Sequence, residues 1–191
     1  MTTRKFFQRA ATIGAALLVA GCGGSSQQYF RLSAENAATS PNERSISLGV
    51  GPVSLPAYID RSELVFQSGP NEFQIPSNAS WAGSLRDNIT AVLASDLRSA
   101  LGAREVLTYP WAAGRAPARR VALAVRQFHG ISGSGAILDV SWQIENADGF
   151  TIAQNSRVFH EPIKGDGYAV VVAAESCLLA QCAAAIARAL R

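Results

Sequence analysis

The chain of 191 residues has three cysteines and two histidines, and charged side chains make up only 16% of it. Each scarcity closes off a class. A disulfide framework needs paired cysteines at regular spacing, and a structural zinc site needs recurring Cys/His pairs. Neither pattern is present. His129 and His160 stand apart, with no third ligand in view, so the expectation is no metal and no cofactor. Nor is there a nucleophile elbow: Gly133-Ser134-Gly135 has its glycines next to the serine instead of two residues away, between two predicted strands. That glycine run also lacks the lysine and following helix of a phosphate-binding loop. No catalytic residue is assigned, and Ser134 or His129 in an anchored envelope hydrolase is the weaker alternative.

What the sequence does have begins at its N-terminus. Arg4, Lys5 and Arg9 precede an apolar run that starts at Ala10 and ends in Leu18-Val19-Ala20-Gly21-Cys22. A charged start, about ten apolar residues and small residues before a cysteine form a bacterial lipoprotein signal. Residues 1–21 are read as signal peptide, Cys22 as the lipidation site and first mature residue, and residues 22–28 as a polar tether. The run is about half the 20 residues that a membrane span requires. No second apolar run of membrane length is expected. Gly23, in place of an aspartate after the cysteine, points to the periplasmic face of the outer membrane.

Loss of the signal removes Arg4, Lys5 and Arg9 and no acidic residue, so the 17 basic and 14 acidic residues become 14 of each. The net charge of +3 therefore belongs to the signal. A near-neutral body without a basic stripe has no footprint for nucleic acid.

Residues 29–191 read as one domain. Tyr29 to Leu32 is a predicted edge strand, and residues 34–44 a loop. Ile46, Leu48 and Val50 fall on one face of a strand. Leu64-Val65-Phe66 and Phe73-Gln74-Ile75 flank the turn residues 68–71 as a hairpin. Asn78 is the expected cap of a helix striped by Trp81, Leu85, Ile89, Val92, Leu93 and Leu97 and stopped by Gly102, with Arg86, Asp87, Thr90 and Arg98 facing water. Val121, Leu123 and Val125, then Leu138, Val140, Trp142 and Ile144, alternate as half-buried strands. Asp148-Gly149 turns into a further strand from Phe150 to about Phe159. A last helix from Tyr168 to about Leu190 is predicted to bury Val171, Ala174, Leu178, Cys182, Ala185 and Ala189. The fold class is α+β, a mainly antiparallel sheet with two long helices packed on one face. Cys177 and Cys182 are expected to be free thiols, because five helical positions place them about 7.5 Å apart along the axis and about 140° apart around it. Asp60 and Arg61 read as a local ion pair near a turn or, equally, as a binding feature.

The ordered features Cys22, Tyr29-Phe30-Arg31-Leu32 and the block from Gly51-Pro52-Val53 to Tyr58-Ile59-Asp60-Arg61, followed by Trp81, Phe128, Leu138 with Trp142 and the alanine-rich end helix, carry more than spacing does. Together they resemble the ABC-type transport auxiliary lipoproteins over essentially the whole mature chain. The resemblance implies a non-enzymatic envelope component held by lipid on Cys22. It implies as partners a mammalian-cell-entry (MCE) domain membrane protein with its permease and ATPase, and a homo-oligomer that docks the MCE tunnel. Tyr58, Ile59 and Arg61 in the block and Trp111 in a loop are the candidate interface residues. A structural assembly lipoprotein of a secretion system is the other alternative.

Overall fold

The computed structural model describes residues 26–35, 44–112 and 114–191. The signal segment, Cys22 and most of the predicted 34–44 loop lie outside them. Nine strands and two helices follow one another as β1 (Gln28–Phe30), β2 (Arg44–Ser54), β3 (Phe66–Gly69), β4 (Glu72–Gln74), β5 (Ala79–Trp81), α1 (Leu85–Leu101), β6 (Ala103–Thr108), β7 (Arg119–Ile131), β8 (Gly135–Asn146), β9 (Thr151–Glu161) and α2 (Tyr168–Ala189).

Seven strands form one sheet in the order β6-β2-β7-β8-β9, and the β3–β4 hairpin joins the far end of β7 on the edge that β2 also uses. The β7–β8 and β8–β9 ladders are long and antiparallel, from Arg119↔Asn146 to Ile131↔Gly135 and from Ala136↔Glu161 to Glu145↔Thr151. These agree with the expected antiparallel α+β sheet. The joins of β2 to β6 and β7, and of β3 to β7, are parallel, a feature that the alternation of single strands cannot reveal. β1 and β5 pair as a separate parallel ribbon.

Local sequence explains where the elements stop. Asn146 Oδ1 accepts hydrogen bonds from the N–H groups of Asp148 and Phe150, and Gly149 takes φ 86°, which closes the β8–β9 hairpin. The first helix starts later than expected. Ser84 is its cap, accepting from the Asp87 N–H at 3.2 Å, and Asn78 precedes β5 instead. Gly83 at φ 137° makes the break, so Trp81 reaches the core from a strand. Gly102 at φ 62° ends the helix as predicted. Thr90 is buried, its hydroxyl returned to the Arg86 carbonyl at 2.8 Å, whereas Arg86, Asp87 and Arg98 are exposed.

Both helices cover one face of the sheet, α1 on β2 and β6, α2 on β7, β8 and β9, and each packs on the other. The core between them holds Leu48, Val50, Val121, Phe128, Leu138, Val140, Trp142 and Ile144 from the strands. By length and a mean hydropathy of 1.9, α2 could cross a membrane, so a second apolar run of membrane length does exist. It serves here as a core helix: Val172, Leu178, Leu179, Cys182 and Ile186 are buried. Its buried arc meets both the sheet and α1, and is therefore displaced from the stripe read by period; Val171 is half-buried and Ala189 exposed. Cys177 and Cys182 are free, the first half-buried and the second buried, with burial pushing the Cys182 thiol up to about 12.

Candidate functional site

The block from Gly51 to Arg61 is a strap made of the last residues of β2, up to Ser54, and the turn that follows them. Glycine is required where it begins: a side chain at Gly51, at φ 117°, would stand 2.6 Å from Tyr109 Cβ. Two residues earlier, a Cβ on Gly49 would lie 2.6 Å from the Trp111 ring and 2.5 Å from Pro117. Trp111 is thus half-buried on the backbone of β2, with Tyr109 edge-on to it at 5.4 Å.

Beyond Ser54 the chain turns back on the Pro56 carbonyl, which accepts from the N–H groups of Ile59 and Asp60. Ile59 drops into the core at 1% exposure. It is not a surface contact, contrary to the sequence expectation, because the turn aims its side chain inward while its neighbours face out. Asp60 pairs with Arg86 of α1, and Arg61 with Glu63 at 2.9 Å, so the expected Asp60-Arg61 pair is replaced by two pairs that tie the strap elsewhere. Arg61 itself remains exposed, and its guanidinium holds the Glu63 carboxyl below its usual range.

Tyr58 reaches over the helix-free face to His129. Its hydroxyl lies 3.1 Å from His129 Nδ1 and 3.3 Å from the Arg126 carbonyl, while His129 Nε2 lies 3.3 Å from Gln67 Oε1. Gln67 donates its amide N–H to the Gly69 carbonyl at 3.0 Å, which leaves its oxygen to accept from Nε2–H and leaves Nδ1 and the Arg126 carbonyl to share the one Tyr58 O–H proton. Phe73 packs edge-on to the imidazole at 5.2 Å and against Tyr58 at 4.9 Å. Enclosed in this way, His129 is fully buried, and burial lowers its pKa from 6.5 to about 4. Burial likewise raises the Tyr58 phenol. Both imidazole nitrogens are engaged in this relay, and Ser134 sits in the β7–β8 turn, its N–H on the Ile131 carbonyl. Sequence reasoning did not connect Tyr58, Gln67 and His129. Their pairing crosses 71 and 62 residues of chain and leaves no local spacing to read.

Towards the middle of the sheet the helix-free face carries small residues. Pro52, Ser54, Ala122, Ala124, Ser141 and Gln154 line a shallow depression. Arg126 crosses three strands there, with Nε on Asp139 at 2.9 Å and Nη2 donating to Ser156 Oγ at 2.7 Å. At the β9 edge Phe150, Ile152 and Val158 are exposed.

A larger groove of about 680 Å³ opens at one end of the sheet, between the β3–β4 hairpin, the β7–β8 turn and the chain entering α2. Phe66, Ile75, Ile131, Ile163, Tyr168 and Val170 give it apolar walls, and Asp166 is its one charged lining residue. Its size is that of a small-molecule or single-chain site. Among the described residues no group of three His, Cys, Asp or Glu side chains is placed to hold a metal ion.

A helix-roofed mixed sheet, with one face and one end groove uncovered among the described residues, defines a small α+β domain. The chain belongs to the family of ABC-type transport auxiliary lipoprotein components, whose model matches residues 30–187. Membership places it in the cell envelope as a membrane-anchored lipoprotein associated with an ABC transporter. Among solved structures it is similar to an uncharacterised protein at 22% identity and a TM-score of 0.72, over 87% of this chain and 99% of that one. It is also similar to a Xanthomonas campestris protein at 18% identity and 0.69, over 84% and 92%. These likenesses show the fold. A PelC dodecamer from Paraburkholderia phytofirmans matches at 13% identity and 0.43, over 75% and 91%, too distant to say anything of assembly here. No curated protein matches the sequence.

Proposed function

We propose that the protein is a non-enzymatic accessory of an MCE/ABC-type intermembrane lipid transport system of the PqiC-like kind. Lipid on Cys22 fixes it to the periplasmic face of the outer membrane, and the folded body docks the MCE tunnel protein. The observation that carries this reading is the family match over residues 30–187, preceded by a lipoprotein signal that ends at Cys22. The body supports it as a docking module. Among the described residues one sheet face is free of helices, and β9 is an 11-residue edge strand without proline or lysine. Natural sheets guard their edges with those residues and with other charges; β9 has only Arg157 and Glu161 of that kind, so its edge suits pairing with a second copy in a homo-oligomer. Arg61, exposed in the strap, and Trp111, seated half-buried on β2, are the contact residues, with Tyr58 holding the strap behind them. No cofactor is needed beyond the covalent lipid.

Affinity purification of the tagged, membrane-extracted protein from its native envelope tests this. Recovery of an MCE-domain protein with its permease and ATPase is the expected result. Recovery of secretion subunits instead would transfer the protein to an assembly role, and turnover of a lipid ester by the purified protein, lost in S134A or H129A, would make it a hydrolase.

A further inference from the structure

The described chain starts at Ser26 and runs at once along β5. β1 runs parallel to β5 with Gln28 opposite Ala79, and the Gln28 N–H donates to the Asn78 carbonyl at 2.8 Å. Behind Ala79 the chain turns at Ser77–Asn78 and leads back to Pro76 and Ile75. Those two residues form one wall of the groove. Tyr168 links the two regions: its ring lies 6.0 Å from Phe30 of β1 and 5.5 Å from Phe66 of the groove wall, and its hydroxyl donates to Asn78 Oδ1 at 3.4 Å. Cys22 lies four residues ahead of Ser26, so a fully extended chain takes it at most about 14 Å away.

The lining selects a chemistry. Aliphatic and aromatic side chains share the lining about equally with polar groups, Asp166 among them, and no Lys or Arg is present to meet a phosphate or carboxylate. Ile75 keeps 42% of its surface exposed at the groove wall. A hydrocarbon chain fits the apolar part of these walls, whereas an anionic headgroup would find no cation and would meet Asp166. A chain tethered through five or six residues also reaches the groove at a high effective concentration, without competing from free solution.

We propose that the groove seats one acyl chain of the lipid carried by Cys22. The proposal rests on the anchor assignment above. With that chain seated, the groove end of the domain faces the leaflet that holds the anchor, and β9 and the helix-free face remain available for protein partners. The other acyl chains stay in the membrane.

Photo-cross-linking tests this. The full-length protein is produced in its native host on a diazirine fatty acid, purified into phospholipid nanodiscs and irradiated, and its acylation is checked by intact mass. The expected product is a cross-linked pair between the Cys22 peptide and the peptide containing Ile163–Val171, or the one containing Ile75. V170W, which fills the groove, should lower that yield at least fivefold while acylation is unchanged; I75Q at the exposed hairpin should lower it too if V170W does not fold. Groove adducts of phospholipid mass alone, or Cys22 acyl adducts to lipid alone, would overturn the proposal with the anchor intact. An unacylated intact mass would remove the anchor, and the proposal with it.

Discussion

Two buried ionisable side chains, one on each side of the sheet, have been treated in opposite ways. His129, on the helix-free side, is enclosed by Tyr58 and Phe73, and each ring nitrogen has a partner. Glu175, inside α2, is 3% exposed, and its Oε2 has no hydrogen-bond partner among the described residues. Its neighbour Ser176 is satisfied twice, donating to the Val172 carbonyl and accepting from the Ser33 N–H. Burial alone pushes the Glu175 carboxyl up to about 8. The strap corner was built around its polar group; the helix was built for packing and carries an acid that stays neutral to fit.

Packing is the stronger of the two devices, and truncating it should produce the largest effect. Trp142 is 3% exposed between Leu123 and Asn155 in the β8 ladders. W142A should lower unfolding free energy by about 3 to 5 kcal/mol in denaturant titrations. A neutral result would mean that the helix-covered side is not the core.

The pH dependence of stability separates the two acids and bases. For Glu175 the folded pKa lies above the ordinary 4.5, so the native state holds a proton that the unfolded chain has released. Its contribution is therefore complete below about pH 4.5 and is lost as pH rises through about 8, at up to about 1.4 kcal/mol per pH unit. For His129 the folded pKa of about 4 lies below 6.5, so stability is lost as pH falls through that window. Between about 4.5 and 6.5 the two slopes oppose each other; between 6.5 and 8 only the Glu175 decline remains. E175Q should abolish that upper decline in thermal melts taken across pH. A decline that survives E175Q would show that Glu175 has found a partner and that the contrast is false.

How much of this was legible in the sequence follows from the same contrast. Leu138, Val140, Trp142 and Ile144 alternate with polar residues because one face of β8 is covered and the other is not, so strand and facing could be read from period alone. The same holds for the α1 stripe and its Gly102 stop. Three features were hidden. The start of α1 depended on Gly83 and Ser84 against a plausible Asn78; the parallel joins of β2 depend on strands far apart in sequence; and Ile59 turns inward only because the Pro56 carbonyl closes a turn under it. Of the candidate site, the strap was found as a block. The relay from Tyr58 through His129 to Gln67 could not be, since it forms only when three separate segments meet.

The strap corner can be tested by removing a single oxygen. Y58F keeps the ring against Phe73 but deprives His129 Nδ1 and the Arg126 carbonyl of the hydroxyl. Leaving a buried acceptor unsatisfied should cost about 1 to 3 kcal/mol, a smaller loss than W142A because the packing survives. The low-pH loss of stability should also become shallower, since an imidazole without its donor is freer to take up a proton in the native state. Unchanged stability and an unchanged acid limb would show that the hydroxyl is solvated in the native protein.

The smallest stability effect is expected at the strap's outer surface, and there it becomes informative. Arg61 and Glu63 pair in the open, where solvent screens the attraction, so R61A should leave the denaturation midpoint where it was. Nothing inside the domain therefore needs an arginine at that position. If R61A also leaves recovery of the MCE-domain partner unchanged, the strap serves the fold alone: Ile59 in the core, Asp60 on α1 and Tyr58 on His129 account for it completely. If recovery falls while the midpoint holds, the same eleven-residue block from Gly51 to Arg61 divides its labour by side-chain direction, with the inward residues holding the sheet together and the outward arginine left for another protein.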